Sequence, residues 1–184
     1  ASAPDQSIFV WSRDYAVQRF SLADGRPLGR FENDAFPTSL AVNGSRLLVG
    51  LDDGAVVEFD IATGKRLNIL GTFGTDVVDI VPVTDDLMWI STTGRVLSLF
   101  DRSSTAVLHR QTLAAFGVHV VAASPLALAI GGEGGSLSLL TLDAAVDDPE
   151  RIQDELDCRV PFALDGGVLR PRDVDLTACD RLAQ

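Results

Sequence analysis

The sequence predicts an all-β protein assembled from one antiparallel unit repeated along the chain, and three observations predict it. Gly54-Ala-Val-Val-Glu-Phe-Asp-Ile-Ala-Thr-Gly-Lys-Arg-Leu67 reads as an apolar strand, a tight Asp/Thr/Gly turn and a second strand. Phe20, Phe59, Phe100 and Leu140 hold the same place in four such copies, at separations of 39, 41 and 40 residues. The central strands are almost continuously apolar, as strands covered on both faces are. A period near 40 residues built from short strands is the signature of β-propeller blades, each of four antiparallel strands.

In the first unit, Ser7-Ile-Phe-Val-Trp-Ser12 is a short strand rich in aromatic and β-branched residues. Arg13 and Asp14 turn it into residues 15–22, where Ala16, Gln18 and Phe20 alternate with Val17, Arg19 and Ser21. Ala23-Asp-Gly25 is expected to make a two-residue hairpin turn into a strand over 28–31, because Asp-Gly readily adopts positive φ. That gives three strands, with the innermost missing. The second unit is complete, with strands over 38–42, 46–51, 55–61 and 66–70 and turns at Asn43-Gly44, Asp52-Asp53-Gly54 and Ala62-Thr-Gly64. The third repeats that order over 77–83, 87–91, 95–100 and 106–111, with Pro82 near a strand end, where a missing N–H costs least.

The fourth unit has strands over 118–122, 127–130 and 136–142, with Gly131, Gly132, Gly134 and Gly135 around its turn. Residues 144–157 break the pattern as an acidic connector, in which Pro149-Glu-Arg-Ile-Gln-Asp-Glu155 has the composition of a helical turn or two. The tail, 158–184, opens on a further hairpin around Asp165-Gly-Gly167, and Pro161 and Pro171 mark both of its arms as edges. The expected organisation is therefore blades over 1–143, a connector, and a terminal hairpin and tail that complete the propeller. This amounts to about three and a half blades plus the hairpin.

At Phe59-Asp60-Ile-Ala-Thr-Gly64-Lys65, and again at Phe100-Asp101, the chain resembles bacterial WD40-type propellers, in which an aromatic-Asp pair ends the third strand. The resemblance covers roughly residues 7–143; Phe stands where the family prefers Trp, and its Gly-His pair is absent. Quinoprotein-like propellers, the second choice, also carry an Asp-x-x-Thr-Gly-Lys turn. The WD40 resemblance implies a rigid, non-catalytic platform for protein or peptide partners, often following a signalling or effector domain. The quinoprotein alternative implies part of an enzyme whose active site needs other blades, and a third reading is a purely structural segment.

An arc of such sheets would expose apolar faces and unpaired edges at both ends. Residues 158–164 are expected to complete the fourth unit, and 168–172 to supply the inner strand of a first unit. If that unit lies in the same chain, the ring has four blades. If blades come from another copy or segment, it has seven or eight, which is the favoured expectation.

Fifteen Lys and Arg against 26 Asp and Glu give a net charge of −11. Such a surface repels phosphate, and the densest basic stretch, Arg170-Pro-Arg172, has acids on both sides, so nucleic acid is not an expected partner. No apolar run reaches the ~18 residues a spanning helix needs, so no membrane partner is expected. Ala1-Ser-Ala-Pro-Asp-Gln6 lacks the basic and apolar regions of a signal peptide and is consistent with a processed start or the cut edge of a longer chain. Cys158 and Cys179 fit ordinary thiols better than a bridge, which weakly favours the cytoplasm without excluding the periplasm or secretion.

His109 and His119 are the only histidines, and neither belongs to a cluster with metal-ligand spacing, so packing roles are expected for both. Gly131-Gly-Glu-Gly-Gly135 precedes a strand rather than a helix and reads as a turn, not a phosphate cradle. Asp52-Asp53-Gly54 and Thr84-Asp85-Asp86 lack the alternating ligands of a calcium loop, and turn chemistry explains both. Gly-x-Ser-x-Gly is absent. No catalytic residue, metal or cofactor is expected. The loops between second and third strands gather on one rim and place Arg13, Asp14, Asp52, Asp53, Thr92, Thr93 and Glu133 there as candidate partner-binding residues. Their acidic bias suits a basic or mixed partner.

Overall fold

A computed structural model describes residues 2–3, 6–113, 119–124, 127–132, 136–141, 162–165 and 168–171. The chain divides into two units, Ala1–Thr141 and Leu142–Gln184. Every described element is a strand, and every pairing is antiparallel. In the first unit, β1 (Ser2–Ala3), β2 (Ser7–Trp11), β3 (Ala16–Ser21) and β4 (Pro27–Glu32) form the first sheet in that order. β5 (Pro37–Asn43), β6 (Arg46–Leu51), β7 (Ala55–Asp60) and β8 (Arg66–Thr72) form the second. β9 (Val77–Pro82), β10 (Leu87–Thr92), β11 (Val96–Asp101) and β12 (Ala106–Thr112) form the third. β13 (His119–Ser124), β14 (Ala127–Gly132) and β15 (Ser136–Thr141) form a three-stranded fourth. In the second unit, β16 (Phe162–Asp165) and β17 (Val168–Pro171) pair as a hairpin in which Asp165 faces Val168.

One expectation about an edge is corrected. The inner strand of the first sheet is not missing: Ser2 pairs with Ile8 and Ala3 with Ser7. Two small residues ahead of a proline carry no strand pattern in sequence, yet they suffice to pair the start of β2. The two arms of the terminal hairpin pair with each other, as expected. The connector 144–157 lies outside the described residues.

The sheets of the first unit pack face to face in sequence order. Phe9, Val17 and Phe31 of the first sheet meet Leu47, Val49, Val57 and Phe59 of the second in one apolar cluster. Leu48, Val56 and Leu70 on the other face of the second sheet meet Val77, Ile80, Met88 and Phe100 of the third. Each such side chain, fully buried, contributes about 1.5–3 kcal/mol of transfer free energy. The alternation of β6 and β7 therefore feeds two cores at once, which is why Leu47–Leu51 and Ala55–Phe59 are buried without a gap. Outer β8 shows the contrast, leaving Leu67 and Ile69 exposed. Close approach at the inner end of the second and third sheets requires a glycine: a Cβ on Gly50 would lie 2.2 Å from Ser39 Oγ and 2.6 Å from Val77 Cγ1.

The repeat is also written in the turns. Tyr15, Gly54 and Arg95 close the second-to-third-strand turns with φ of 60°, 85° and 61°. Their carbonyls accept the N–H groups of Asn33, Phe73 and Leu113 respectively. The third-to-fourth-strand turns place Gly25, Gly64 and Thr105 at φ of 69°, 70° and 52°. These turns are longer than the two-residue loop expected at Ala23-Asp-Gly25, because Ser21 N–H bonds the carbonyl of Arg26 and Asp60 N–H that of Lys65, enclosing four residues. Register shifts recur at the same place, between Arg19 and Phe20, Glu58 and Phe59, and Leu99 and Phe100. Phe20, Phe59 and Phe100 thus occupy one structural position in three sheets.

Candidate functional site

The turns between second and third strands lie at the same end of their sheets, beside the connections that lead into the next inner strand. Asp52 N–H donates to the carbonyl of Phe36 and Thr93 N–H to that of Asp76, at equivalent places in two sheets. Asp52 Oδ1 accepts the Phe36 N–H at 3.0 Å, and Asp53 Oδ1 accepts that of Ala55 at 2.9 Å. Asp14 is held by the Ser12 hydroxyl and by Arg30 Nη1 at 2.6 Å, and those two hydrogen bonds keep its carboxyl below the ordinary range. Arg13, Asp14, Asp52, Asp53 and Thr93 are all exposed. Thr92 is a correction: it ends β10, is buried, and presents only its carbonyl to the turn, to Arg95 N–H. It occupies the place of Leu51, the last residue before the loop, which is likewise buried, whereas Ser12 at the same place in the first sheet is exposed. Glu133 lies outside the described residues.

At the opposite end of the sheets lies a constellation that the sequence reading missed. Asn43, Gly44, Ser45, Arg46, Asp85 and Arg102 line a cleft of about 250 Å³. Behind it Glu58, with no exposed surface, accepts Arg46 Nη1 at 3.0 Å through Oε1 and Asn68 Nδ2 at 3.2 Å through Oε2. Arg102, from the third sheet, reaches the same Oε1 at 3.0 Å and holds Asp86 Oδ1 through Nη2, also at 3.0 Å. The hydrogen bond to Asp86, together with that to Glu58, raises the Arg102 pKa against the opposing effect of burial. Asn43 Nδ2 donates to the carbonyls of Thr84 and Asp85, tying the two sheets again. In the network two carboxylates, Glu58 and Asp86, meet two guanidiniums, which makes it a charge-matched clasp between sheets, and the cleft in front of it adds the Ser45 hydroxyl and the Asp85 carboxylate. The signal was present in sequence: Glu58 is the only charged residue in the buried run of β7.

The same join is built differently one sheet earlier. Arg19, at the position equivalent to Glu58, donates through Nη1 to the carbonyl of Ile61, which is equivalent to Arg102. The neighbouring turns carry their own anchors: Asp60 accepts the hydroxyl and N–H of Thr63, and Asp101 the hydroxyls of Ser104 and Ser103, and these bonds lower both carboxyl pKa values. His109 is exposed on β12 with its ring edge-on to Trp89, 6.2 Å away. His119 opens β13, the inner strand of its sheet. Among the described residues no group of three or more His, Cys, Asp or Glu could hold a metal ion, and no helix is long and apolar enough to cross a membrane. Both cysteines lie outside the described residues.

The described residues define an all-β fold of antiparallel sheets, three of them four-stranded and one three-stranded in the first unit, with charged turns at both ends of the strands. No family model and no curated protein matches the chain. Among solved structures it is similar to the computationally designed Ika8 protein, with a TM-score of 0.65 and 13% identity over 77% of this chain and 44% of that one. It is similar also to the computationally designed Ika4 protein, with the same TM-score, identity and share of this chain, and 88% of that one. The chain thus spans less than half the length of Ika8, and at this identity the likeness concerns the fold alone.

Proposed function

We propose that the four sheets are blades of a WD40-like β-propeller and that the chain is a non-catalytic scaffold that binds a basic protein segment on the rim carrying Arg13, Asp14, Asp52, Asp53 and Thr93. The observation that carries this reading is the repeated backbone lock at that rim, where the carbonyls of Tyr15, Gly54 and Arg95 receive the N–H groups of Asn33, Phe73 and Leu113. Turns held identically in successive sheets make a preorganised surface, and preorganisation lowers the cost of binding. Asp52 uses Oδ1 to hold the connection at Phe36 and Asp53 uses Oδ1 to hold its own turn, and both exposed carboxylates can meet a lysine or arginine. The chain's net charge of −11 adds long-range attraction for such a partner.

The test is fluorescence anisotropy with a labelled Lys/Arg-rich peptide against an acidic peptide of equal length. Binding of the basic peptide should weaken with salt. It should fall by about tenfold in the Asp52→Asn/Asp53→Asn variant, whose amides can still cap the turns. Equal binding of both peptides, or no change in the variant, rules the rim out.

A further inference from the structure

The internal repeat shows which surfaces are made to be covered. Ile8, Leu47, Met88 and Leu128 are equivalent, since they pair with Phe20, Phe59, Phe100 and Leu140. Leu47, Met88 and Leu128 are at most 1% exposed, because each faces the preceding sheet, whereas Ile8 is 36% exposed. Val10 stands in the same relation to Val49 and Ile90, exposed at 45% where they are at 0%. At the far end the pattern inverts. Val17, Val56 and Leu97 are fully buried against the following sheet, but their equivalent, Leu137, is 78% exposed. The first sheet's rear face and the fourth sheet's front face are therefore the two halves of one kind of join, each without its complement among the described residues.

The polar link described above sharpens this. A residue at the position of Arg19 and Glu58 contacts the following sheet at the position of Ile61 and Arg102. On the fourth sheet the first of these positions is Leu139, 69% exposed, and on the first sheet the second is Leu22, 57% exposed. An ion pair at one join is matched by two exposed leucines at the open ends.

We propose that a second copy of this chain docks head to tail, the fourth sheet's front face (Leu137, Leu139) covering the first sheet's rear face (Ile8, Val10, Leu22), and that two such contacts close a dimer. The contact is heterologous, and with two copies it closes into a ring. The inference rests on the blade reading of the repeat but not on peptide binding at the rim, whose failure would leave it standing.

Light scattering of the full chain during gel filtration should report twice the chain mass of 19.6 kDa. Leu139→Glu and Leu22→Lys, each at an exposed position and checked for an unchanged far-ultraviolet spectrum, should each weaken the dimer about a hundredfold by burying an unpaired charge. The double variant should recover most of that loss, because it rebuilds the charge pair that Glu58 and Arg102 make inside the chain. A wild-type mass of one chain, or an open series of larger masses, overturns the proposal. So does a double variant no better than the singles, since that is the result expected if fourth sheets met one another symmetrically.

Discussion

At the residue scale the most informative side chain is Glu58. A carboxylate with no exposed surface must be matched, and here two guanidiniums and one amide match it. One guanidinium comes from the next sheet, so the residue converts a local charge balance into a link between sheets. Glu58→Ala should lower the free energy of unfolding by about 2 kcal/mol, as measured by urea denaturation. The cost stays near the low end for a broken buried network because Arg46 and Arg102 keep 37% and 23% of their side-chain surface in water, and Arg102 keeps Asp86. Arg46→Met should cost less than Glu58→Ala, since Glu58 would retain Arg102. The reverse order would mean that Glu58 is not the centre of the network. The carboxylate was visible in sequence, but its partners were not: Arg46, 12 residues away, meets it through the register of the β6–β7 pair, and Arg102, 44 residues away, only through the packing of the next sheet.

At the scale of the element, the repeated turn explains how a sequence so uneven from copy to copy keeps one geometry. Gly25 and Gly64 occupy the left-handed position of the third-to-fourth-strand turn, but in the third copy the residue is Thr105, at φ 52°. A β-branched residue is strained there. The turn survives because Asp101 gathers the Ser103 and Ser104 hydroxyls and because the flanking strands pair on both sides of it. Thr105→Gly should therefore stabilise the protein by about 1 kcal/mol, the relief of strain exceeding the glycine's added freedom in the unfolded chain. Gly64→Thr should destabilise it by a similar amount, and thermal melts of the two variants check both signs. The strands and most turns were legible in sequence, since alternation, Asp-Gly and Thr-Gly-Lys are local signals. The loop at residues 22–25 was read as too short, because the Asp-Gly pair suggests a tight hairpin while the closing Ser21-to-Arg26 hydrogen bond depends on the partner strand. β1 was not legible at all, since two residues cannot show a period.

At the scale of the first unit, stability is distributed as it is in repeat proteins, where each sheet is supported only by its neighbours. The second sheet is covered on both faces by apolar clusters and the third on the face toward the second, whereas among the described residues the first and fourth each leave apolar side chains exposed on one face. The sequence repeats the same apolar positions in all four copies. It could not say which copies would be supported, since burial depends on the neighbouring sheet and not on the residue. The asymmetry should appear in hydrogen exchange. At a dilution that keeps chains apart, amides of β6 and β7 should exchange slowest, through global unfolding, while those of β2 and β3 exchange faster through local opening. Raising the protein concentration should slow β2, β3, β14 and β15 selectively, because the open faces are then covered, and should leave β6 and β7 unchanged apart from any gain in global stability. Protection equal in all four sheets at high dilution would contradict the neighbour-supported picture, and selective slowing on the acidic turns instead of the end sheets would place the self-contact on the rim.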